Sequence, residues 1–101
     1  MAATPEKRVK DAVVAHLKAA GAYYFFPATH GFGRSGVPDI VACINGRFLG
    51  IECKAGTNKP TALQVRELER IRMAGGCAVV ANETNLDLLP DLLSRLKRGE
   101  E

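Results

Sequence analysis

Apolar residues near the start of the chain recur at the spacing of one helix face, and a short aromatic run follows them. Val9 and Val13 lie on one stripe, and the spacing predicts a helix over residues 4–20 with Thr4 as its N-cap. The aromatic segment at residues 22–27 is short and rich in residues that favour strands. The first quarter of the chain therefore predicts a helix followed by a strand.

Two apolar runs in the middle of the chain are separated by Asn45-Gly46, a pair that tolerates the positive φ angles of a type I′ hairpin turn. The predicted hairpin strands cover residues 38–45 and 47–54. With this turn, Asp39 faces Glu52 across the hairpin, with Cβ atoms roughly 4.5–5.5 Å apart. Two like charges at that distance repel each other unless a cation lies between them. The hairpin therefore predicts a divalent-metal site at its open end.

The second half of the chain predicts a helix, a strand and a last helix. Thr61 caps a helix that runs to Ala74, and the apolar run at residues 77–81 predicts a strand. A leucine-rich pattern over residues 86–96 predicts a helix that becomes regular near Pro90. The apolar side of the middle helix is predicted to contain Leu63, Val65, Leu68 and Ile71.

The order of these elements predicts an α/β fold in one domain over residues 1–101. A helix between the strands at 47–54 and 77–81 is typical of a crossover that joins parallel strands. The hairpin contributes antiparallel strands, so we expect a mixed sheet of about four strands flanked by helices. The alternating faces of the hairpin also predict a central strand that is buried on both sides.

Charge and cysteine usage narrow the possible partners and compartment. Residues 1–60 carry eight basic and four acidic side chains, whereas residues 61–101 carry six and seven. The basic half contains the hairpin, which permits a polyanionic partner. The three cysteines lie in apolar runs without metal-binding spacing, so we expect buried, reduced thiols and a cytoplasmic protein of a bacterial or virus-infected cell. No segment resembles a signal peptide or a membrane span.

The residues at the hairpin end suit phosphoryl chemistry. Asp39 and Glu52 offer the hard oxygen ligands that Mg²⁺ and Mn²⁺ prefer, and the main-chain carbonyl of Cys53 is a candidate third ligand. Lys54 projects from the same face as Glu52 and is a candidate to hold the attacking water or neutralise the transition state. The alternative is an ordinary surface salt bridge between Lys54 and the two carboxylates.

Two flanking segments carry further candidates. The glycine-rich residues 28–36 form either a plain surface connection or a substrate loop in which Arg34 and Ser35 bind phosphate oxygens. His30 in this loop is a weaker candidate for a metal ligand or general base. Glu6 begins the first helix on its apolar stripe, where it either complements the helix dipole or points into a cleft.

These residues together resemble the PD-(D/E)xK nuclease superfamily and, more narrowly, a stand-alone VRR-NUC domain with a restriction-endonuclease-like core. The resemblance covers nearly the whole chain and rests on a first-helix glutamate, a G-x-P-D motif, an E-x-K motif and a glutamine in the next helix. These map onto Glu6, Gly36, Pro38, Asp39, Glu52, Lys54 and Gln64. The resemblance implies that Glu6 is a third acidic contact to the metal, direct or through water, and that Gln64 orients the lysine, a water or a phosphate.

The resemblance further implies Mg²⁺- or Mn²⁺-dependent endonucleolytic hydrolysis of DNA. Branched DNA such as a Holliday junction is the expected substrate, and the expected assembly is a homodimer. The strand around Tyr23–Phe26 and the leucine-rich last helix are alternative dimer surfaces. We add Lys7 and Lys59 as candidate DNA contacts in the basic half.

Two other functions are compatible with the same sequence. One is a non-catalytic nucleic-acid-binding or assembly module with a nuclease fold, which the intact set of Asp39, Glu52 and Lys54 argues against. The other is an enzyme that acts on a small phosphorylated substrate, which ranks last because no glycine-rich phosphate loop opens a helix.

Overall fold

The computed structural model describes residues 3–28 and 35–100 and confirms the predicted order of elements. The helices and strands are α1 (Pro5–Ala20), β1 (Tyr23–Phe25), β2 (Ile40–Ile44), β3 (Arg47–Cys53), α2 (Ala62–Met73), β4 (Cys77–Ala81) and α3 (Leu89–Lys97). A single 3-10 turn at Leu86–Leu88 leads into α3, as expected from a regular helix that begins close to Pro90.

The four strands form one mixed sheet in the order β1-β2-β3-β4. β1 and β3 are antiparallel to β2, whereas β4 is parallel to β3, so the predicted crossover is present. The β2–β3 hairpin turns at Asn45 and Gly46, which have the positive φ angles of 49° and 79° that a type I′ turn requires. The register runs from Ile44 opposite Arg47 to Ile40 opposite Ile51. The predicted register of the hairpin is therefore confirmed.

Helices cover both faces of the sheet. The main core lies between one sheet face and the helices α1 and α3, and its fully buried side chains include Leu17, Ile51 and Leu96. On the opposite face α2 packs over β3 and β4, where a Cβ atom added to Gly50 would lie 2.7 Å from Cδ1 of Ile71. β3 is therefore the central strand that the sequence predicts to be buried on both sides.

The second face of β2 is more open than the sequence predicts. Cys43 is exposed rather than buried, because α2 covers β3 and β4 and leaves this part of the sheet uncovered. Leu63 and Val65 are likewise about half exposed, so the predicted apolar side of α2 is narrower than expected. The buried residues of α2 are instead Glu67 and Leu68, on the side that faces the sheet.

The helix starts follow from local chemistry. The Thr4 hydroxyl accepts a hydrogen bond from the Lys7 amide at 3.1 Å, and Thr61 accepts one from the Gln64 amide at 3.2 Å. Within residues 3–28 and 35–100, no helix is long and apolar enough to cross a membrane.

Candidate active site

Asp39 is held at the entrance to β2 by contacts on both sides along the chain. Its Oδ2 atom accepts a hydrogen bond from the backbone amide of Cys53 at 2.9 Å, which fixes the carboxylate at the end of the neighbouring strand. Upstream, Gly36 has a φ of +83° and lies so close to α2 that an added Cβ would be 2.7 Å from the carbonyl carbon of Leu63. The glycine thus joins the approach to Asp39 to the first turn of α2.

Glu52 is the buried carboxylate of the site, with only 1% of its surface exposed. Its Oε2 atom accepts a hydrogen bond from Nε2 of Gln64 at 3.0 Å and lies 3.4 Å from Nζ of Lys54. Its Oε1 atom is also buried but has no hydrogen-bond partner within the described parts of the chain. Burying such an oxygen without a partner is costly, so Oε1 is available to a ligand.

The protonation of Glu52 reflects its surroundings. Burial, followed by repulsion from the Asp39 carboxylate, raises the pKa of Glu52 to about 7, and the nearby Lys54 ammonium only partly offsets the shift. The Asp39 carboxylate therefore lies close enough to Glu52 to disfavour its charged form, as the predicted pairing requires, and Glu52 is partly protonated near neutral pH.

Gln64 performs two tasks with its two amide atoms. Oε1 accepts a hydrogen bond from the Thr61 amide at 2.9 Å, which completes a capping box at the start of α2, while Nε2 binds Glu52. The helix start thereby holds the amide donor against the buried carboxylate. The Thr-x-x-Gln spacing that signals this capping box was already present in the sequence, although its link to Glu52 required the fold.

Lys54 stands at the end of β3, where its backbone amide donates to the Ala81 carbonyl at 3.0 Å. Its side chain is 13% exposed, so the ammonium is shielded from most of the solvent but is not enclosed. The ion pair with Glu52 is therefore stronger than a surface salt bridge. The arrangement leaves a compact positive charge beside the carboxylate pair.

A cleft of about 370 Å³ opens beside Asp39. Glu6 is exposed at the start of α1 and lines this cleft together with Asp39 and Cys53. Lys7 lines it as well, but its ammonium is 3.0 Å from the Asp11 carboxylate. Across the described ranges, no three His, Cys, Asp or Glu residues are grouped as a metal site, so Glu6 lines the cleft but does not complete such a group with Asp39 and Glu52.

The cleft contains two residues that the sequence analysis missed. Nζ of Lys10 lies 4.2 Å from the ring centroid of Phe26, and both residues line the cleft. Lys10 follows Glu6 by four positions, so it lies on the same helix face. That spacing was the available signal, but it gave no reason to connect α1 with Phe26.

Of the four remaining predicted site residues, two lie outside the described residues and two are exposed. Arg34 and His30 lie outside the described residues. Ser35 is exposed and directly precedes Gly36, and Lys59 is exposed in the loop before α2. The structure thus assembles Asp39, Glu52, Lys54 and Gln64 closely.

A second groove of about 390 Å³ lies at the β4 edge of the sheet, between β4 and α3. Its lining is mostly aliphatic, with Arg72 and Arg95 at its sides, and it contains no carboxylate. The carboxylates of the candidate site therefore lie outside this groove.

Comparison with known proteins places the chain among nuclease-like domains, although no protein-family model matches it. A protein of Acyrthosiphon pisum secondary endosymbiont phage 1, named "Putative nuclease p44", is 38% identical over 88 residues, which are 80% of this chain and 91% of the relative. A solved structure described as a VRR_NUC domain is 30% identical, with a TM-score of 0.72 over 88% of this chain and 97% of its own.

Two further solved structures share the fold. A VRR_NUC domain protein superposes with a TM-score of 0.71 over 100% of this chain and 94% of its own, at 21% identity. The Holliday junction resolvase Hjc of Archaeoglobus fulgidus is 29% identical, with a TM-score of 0.57 over 75% of this chain and 66% of its own.

Proposed function

The chain belongs to the VRR-NUC family, and from this premise we propose that it is a metal-dependent DNA endonuclease that cuts branched DNA. The observation that carries the proposal is the buried Glu52, which lies beside Asp39 in the hairpin register and whose Oε1 atom has no partner among the described residues. Two neighbouring carboxylates, one of them buried, destabilise the folded state unless a cation binds between them. The name of the phage relative supports nuclease activity.

The residues at this position fit Mg²⁺ or Mn²⁺. The donors are hard oxygens, one oxygen of each carboxylate is already held by a protein donor, and the buried Oε1 of Glu52 awaits a partner. We propose that Asp39 and Glu52 hold the ion, with the main-chain carbonyl of Cys53 as a further ligand and Glu6 acting through a bound water. The ion would supply an acidified water and a positive charge at the scissile phosphate.

Lys54 and Gln64 act on the same centre from the protein side. The Lys54 ammonium is positioned to neutralise charge that develops on the phosphate oxygens. Gln64 fixes one oxygen of Glu52, so that the other oxygen faces a constant direction. Such contacts behind a metal ligand hold its orientation and tune its basicity.

The DNA backbone is proposed to run over the basic half of the chain. Arg34 and Ser35 remain our candidates for phosphate contacts next to the carboxylates, because they directly precede the segment that carries Asp39. Lys7 at the cleft and Lys59 before α2 would contact phosphates farther away. Lys7 would have to exchange its ion pair with Asp11 for such a contact.

We propose a homodimer as the active assembly, because two sites related by a two-fold axis cut two strands of a branch symmetrically. The uncovered sheet face supports a partner there, since Tyr23, Phe25 and Phe48 are 71%, 47% and 45% exposed. The similarity to the resolvase Hjc supports branched DNA as the substrate. We place the protein in the cytoplasm, where DNA and reduced cysteines coexist.

The test is a cleavage panel of duplex, nicked, flap and four-way-junction DNA with Mg²⁺, with Mn²⁺ or with a chelator. We expect metal-dependent cleavage that is strongest on branched DNA and is lost in Asp39→Ala, while DNA binding persists. Asp87→Ala is the matched control, because Asp87 is exposed in the 3-10 turn before α3. Full activity of Asp39→Ala would contradict the proposal.

The second candidate function is the non-catalytic binding module. Its discriminating outcome in the same panel is wild-type protein that binds every DNA and cuts none in either metal. The buried and hydrogen-bonded state of Glu52 favours the enzyme, because binding DNA alone does not require a buried carboxylate beside a second one.

A further inference from the structure

We propose that Phe26 and Lys10 form a seat for an unstacked nucleobase and its phosphate beside the carboxylate pair. The inference rests on the proposed function and deepens it, because it names the feature of DNA that the cleft selects. That feature is an unpaired nucleotide next to the scissile phosphate, as occurs at a flap or a branch. We refer to Phe26 and Lys10 together as the base seat.

The strand register places the base seat next to Asp39. β1 pairs with β2 so that Tyr24 lies opposite Ala42 and Phe25 opposite Val41. Phe26 directly follows this last pair on one strand, just as Ile40 and then Asp39 precede it on the other. Phe26 and Asp39 accordingly line the same cleft.

The ring of Phe26 is held in place and yet remains open to a ligand. The Lys10 ammonium is 4.2 Å from the ring centroid, and the Tyr24 ring is 6.1 Å away at an angle of 57°. About half of the Phe26 surface, 49%, is nevertheless exposed. An exposed aromatic ring that is oriented by its neighbours is a ready stacking platform, because little side-chain freedom is lost on binding.

The Lys10 ammonium provides a positive charge in the cleft that Phe26 lines. Lys10 lines the same cleft as Cys53, the last residue of β3, so its side chain lies close to the end of this strand. Lys7 in the same cleft is paired with Asp11 at 3.0 Å, whereas Lys10 is in contact with an uncharged ring. Lys10 can therefore contact a phosphate without first breaking an ion pair.

Stacking and charge together select an unpaired nucleotide. The binding free energy that a base gains by stacking on an aromatic side chain is largely independent of which base it is, because every base has a π face. A base inside a duplex has both faces stacked on its neighbours and must be unstacked before it can use the seat. The base seat thus favours DNA in which a nucleotide beside the cut is already unpaired.

The first test measures stacking without cleavage. The chain contains no tryptophan, so Phe26→Trp introduces a single reporter. With a chelator present, we expect a single-stranded oligonucleotide to quench this emission, and an oligonucleotide of abasic residues to leave it nearly unchanged. Phe25→Trp is the matched control, because Phe25 is equally exposed but points to the other face of β1. Equal quenching of both variants, or no quenching of Phe26→Trp, overturns the base seat.

The second test measures cleavage. On a flap substrate we expect Phe26→Leu to lower kcat/KM roughly 5- to 150-fold and Phe26→Tyr to restore most of it, since the tyrosine ring also stacks. On the same flap with an abasic residue at the unpaired position, wild type and Phe26→Leu should cut alike. An equal loss on both substrates, with unchanged thermal unfolding, overturns the proposal. If wild type cuts no DNA, the proposed nuclease activity fails, and the fluorescence result alone decides the base seat.

Discussion

Asp39 and Cys53 are joined by a hydrogen bond of 2.9 Å from the backbone amide of Cys53 to Oδ2 of Asp39. This bond ties the start of β2 to the end of β3 and holds the Asp39 carboxylate at the residue that follows Glu52. Asp39→Asn retains an acceptor for the amide but removes the charge. We therefore expect this variant to fold normally and to lose cleavage by about a thousandfold, which corresponds to several kcal/mol of transition-state stabilisation.

The measurement for Asp39→Asn is single-turnover cleavage of the best substrate, accompanied by urea unfolding. Asp11→Asn is a suitable control, since it removes a carboxylate from the wall of the same cleft but not from the pair. Comparable losses in the two variants would show that the general charge of the cleft matters rather than the pair.

Gln64 and Thr61 separate the structural and the catalytic tasks at the start of α2. Gln64→Ala and Thr61→Ala each break the capping box and should each lower the free energy of unfolding by about 1 kcal/mol. Only Gln64→Ala also removes the donor to Glu52, so only this variant should lower activity, by roughly 10- to 100-fold. Urea unfolding and cleavage rates check both expectations, and equal activity losses would assign Gln64 a merely structural role.

Glu52 makes the stability of the metal-free protein depend on pH. Its pKa of about 7 lies above the ordinary value of 4.5, so the folded state holds the proton more tightly than the unfolded state. The stabilisation is complete below about pH 4.5 and is lost as the pH rises to about 7, with a size on the order of 3 kcal/mol. Glu52→Gln has no such proton and should lack this decline.

Urea unfolding of the chelator-treated protein between pH 4.5 and 8 measures the effect. The difference between wild type and Glu52→Gln isolates this one group from other titrations. Parallel stability curves for the two proteins would mean that the carboxyl pair is not strained in the absence of metal.

Gly36 is expected to be intolerant of a side chain for two reasons that can be separated. Gly36→Ala forces alanine into a positive φ and also places a Cβ 2.7 Å from the Leu63 backbone. Gly56→Ala also requires a positive φ, but its Cβ would have no atom within 4 Å. Gly56→Ala should cost about 1–2 kcal/mol, and Gly36→Ala should cost clearly more. Similar losses in urea unfolding would contradict the close packing of this segment on α2.

The pairing of Asp39 with Glu52 could be predicted from the sequence because a two-residue turn fixes the register of everything that follows. Asn45 and Gly46 determine the turn locally, and the position of the turn then fixes which residues face each other along the two strands. The exposure of Cys43 could not be predicted in this way. It depends on which half of the sheet α2 covers, and that is set by packing over Gly50 rather than by the alternation of residues within β2.

The contact between Phe26 and Lys10 in the cleft could not be predicted from the sequence either. The local pattern predicts that Phe26 belongs to a strand and that Lys10 lies on the solvated face of a helix. Neither pattern indicates that the two side chains are in contact. Their contact arises because α1 packs on one face of the sheet and Phe26, which follows the edge strand β1, lines the same cleft as the α1 residues and Cys53 at the end of β3. Contacts between elements distant in sequence follow from tertiary packing, whereas caps, turns and hairpin registers follow from neighbouring residues.

Calorimetric titration of Mn²⁺ into the metal-free protein is the most direct test of the carboxylate pair as a metal site. In buffers of different ionisation enthalpy, binding to wild type should release about one proton per ion at pH 6 and close to none at pH 8.5, because Glu52 has a pKa of about 7. Glu52→Gln and Asp39→Asn should bind far more weakly, and Glu52→Gln should release no proton. Unchanged binding in both variants, or no binding to wild type, would contradict the account.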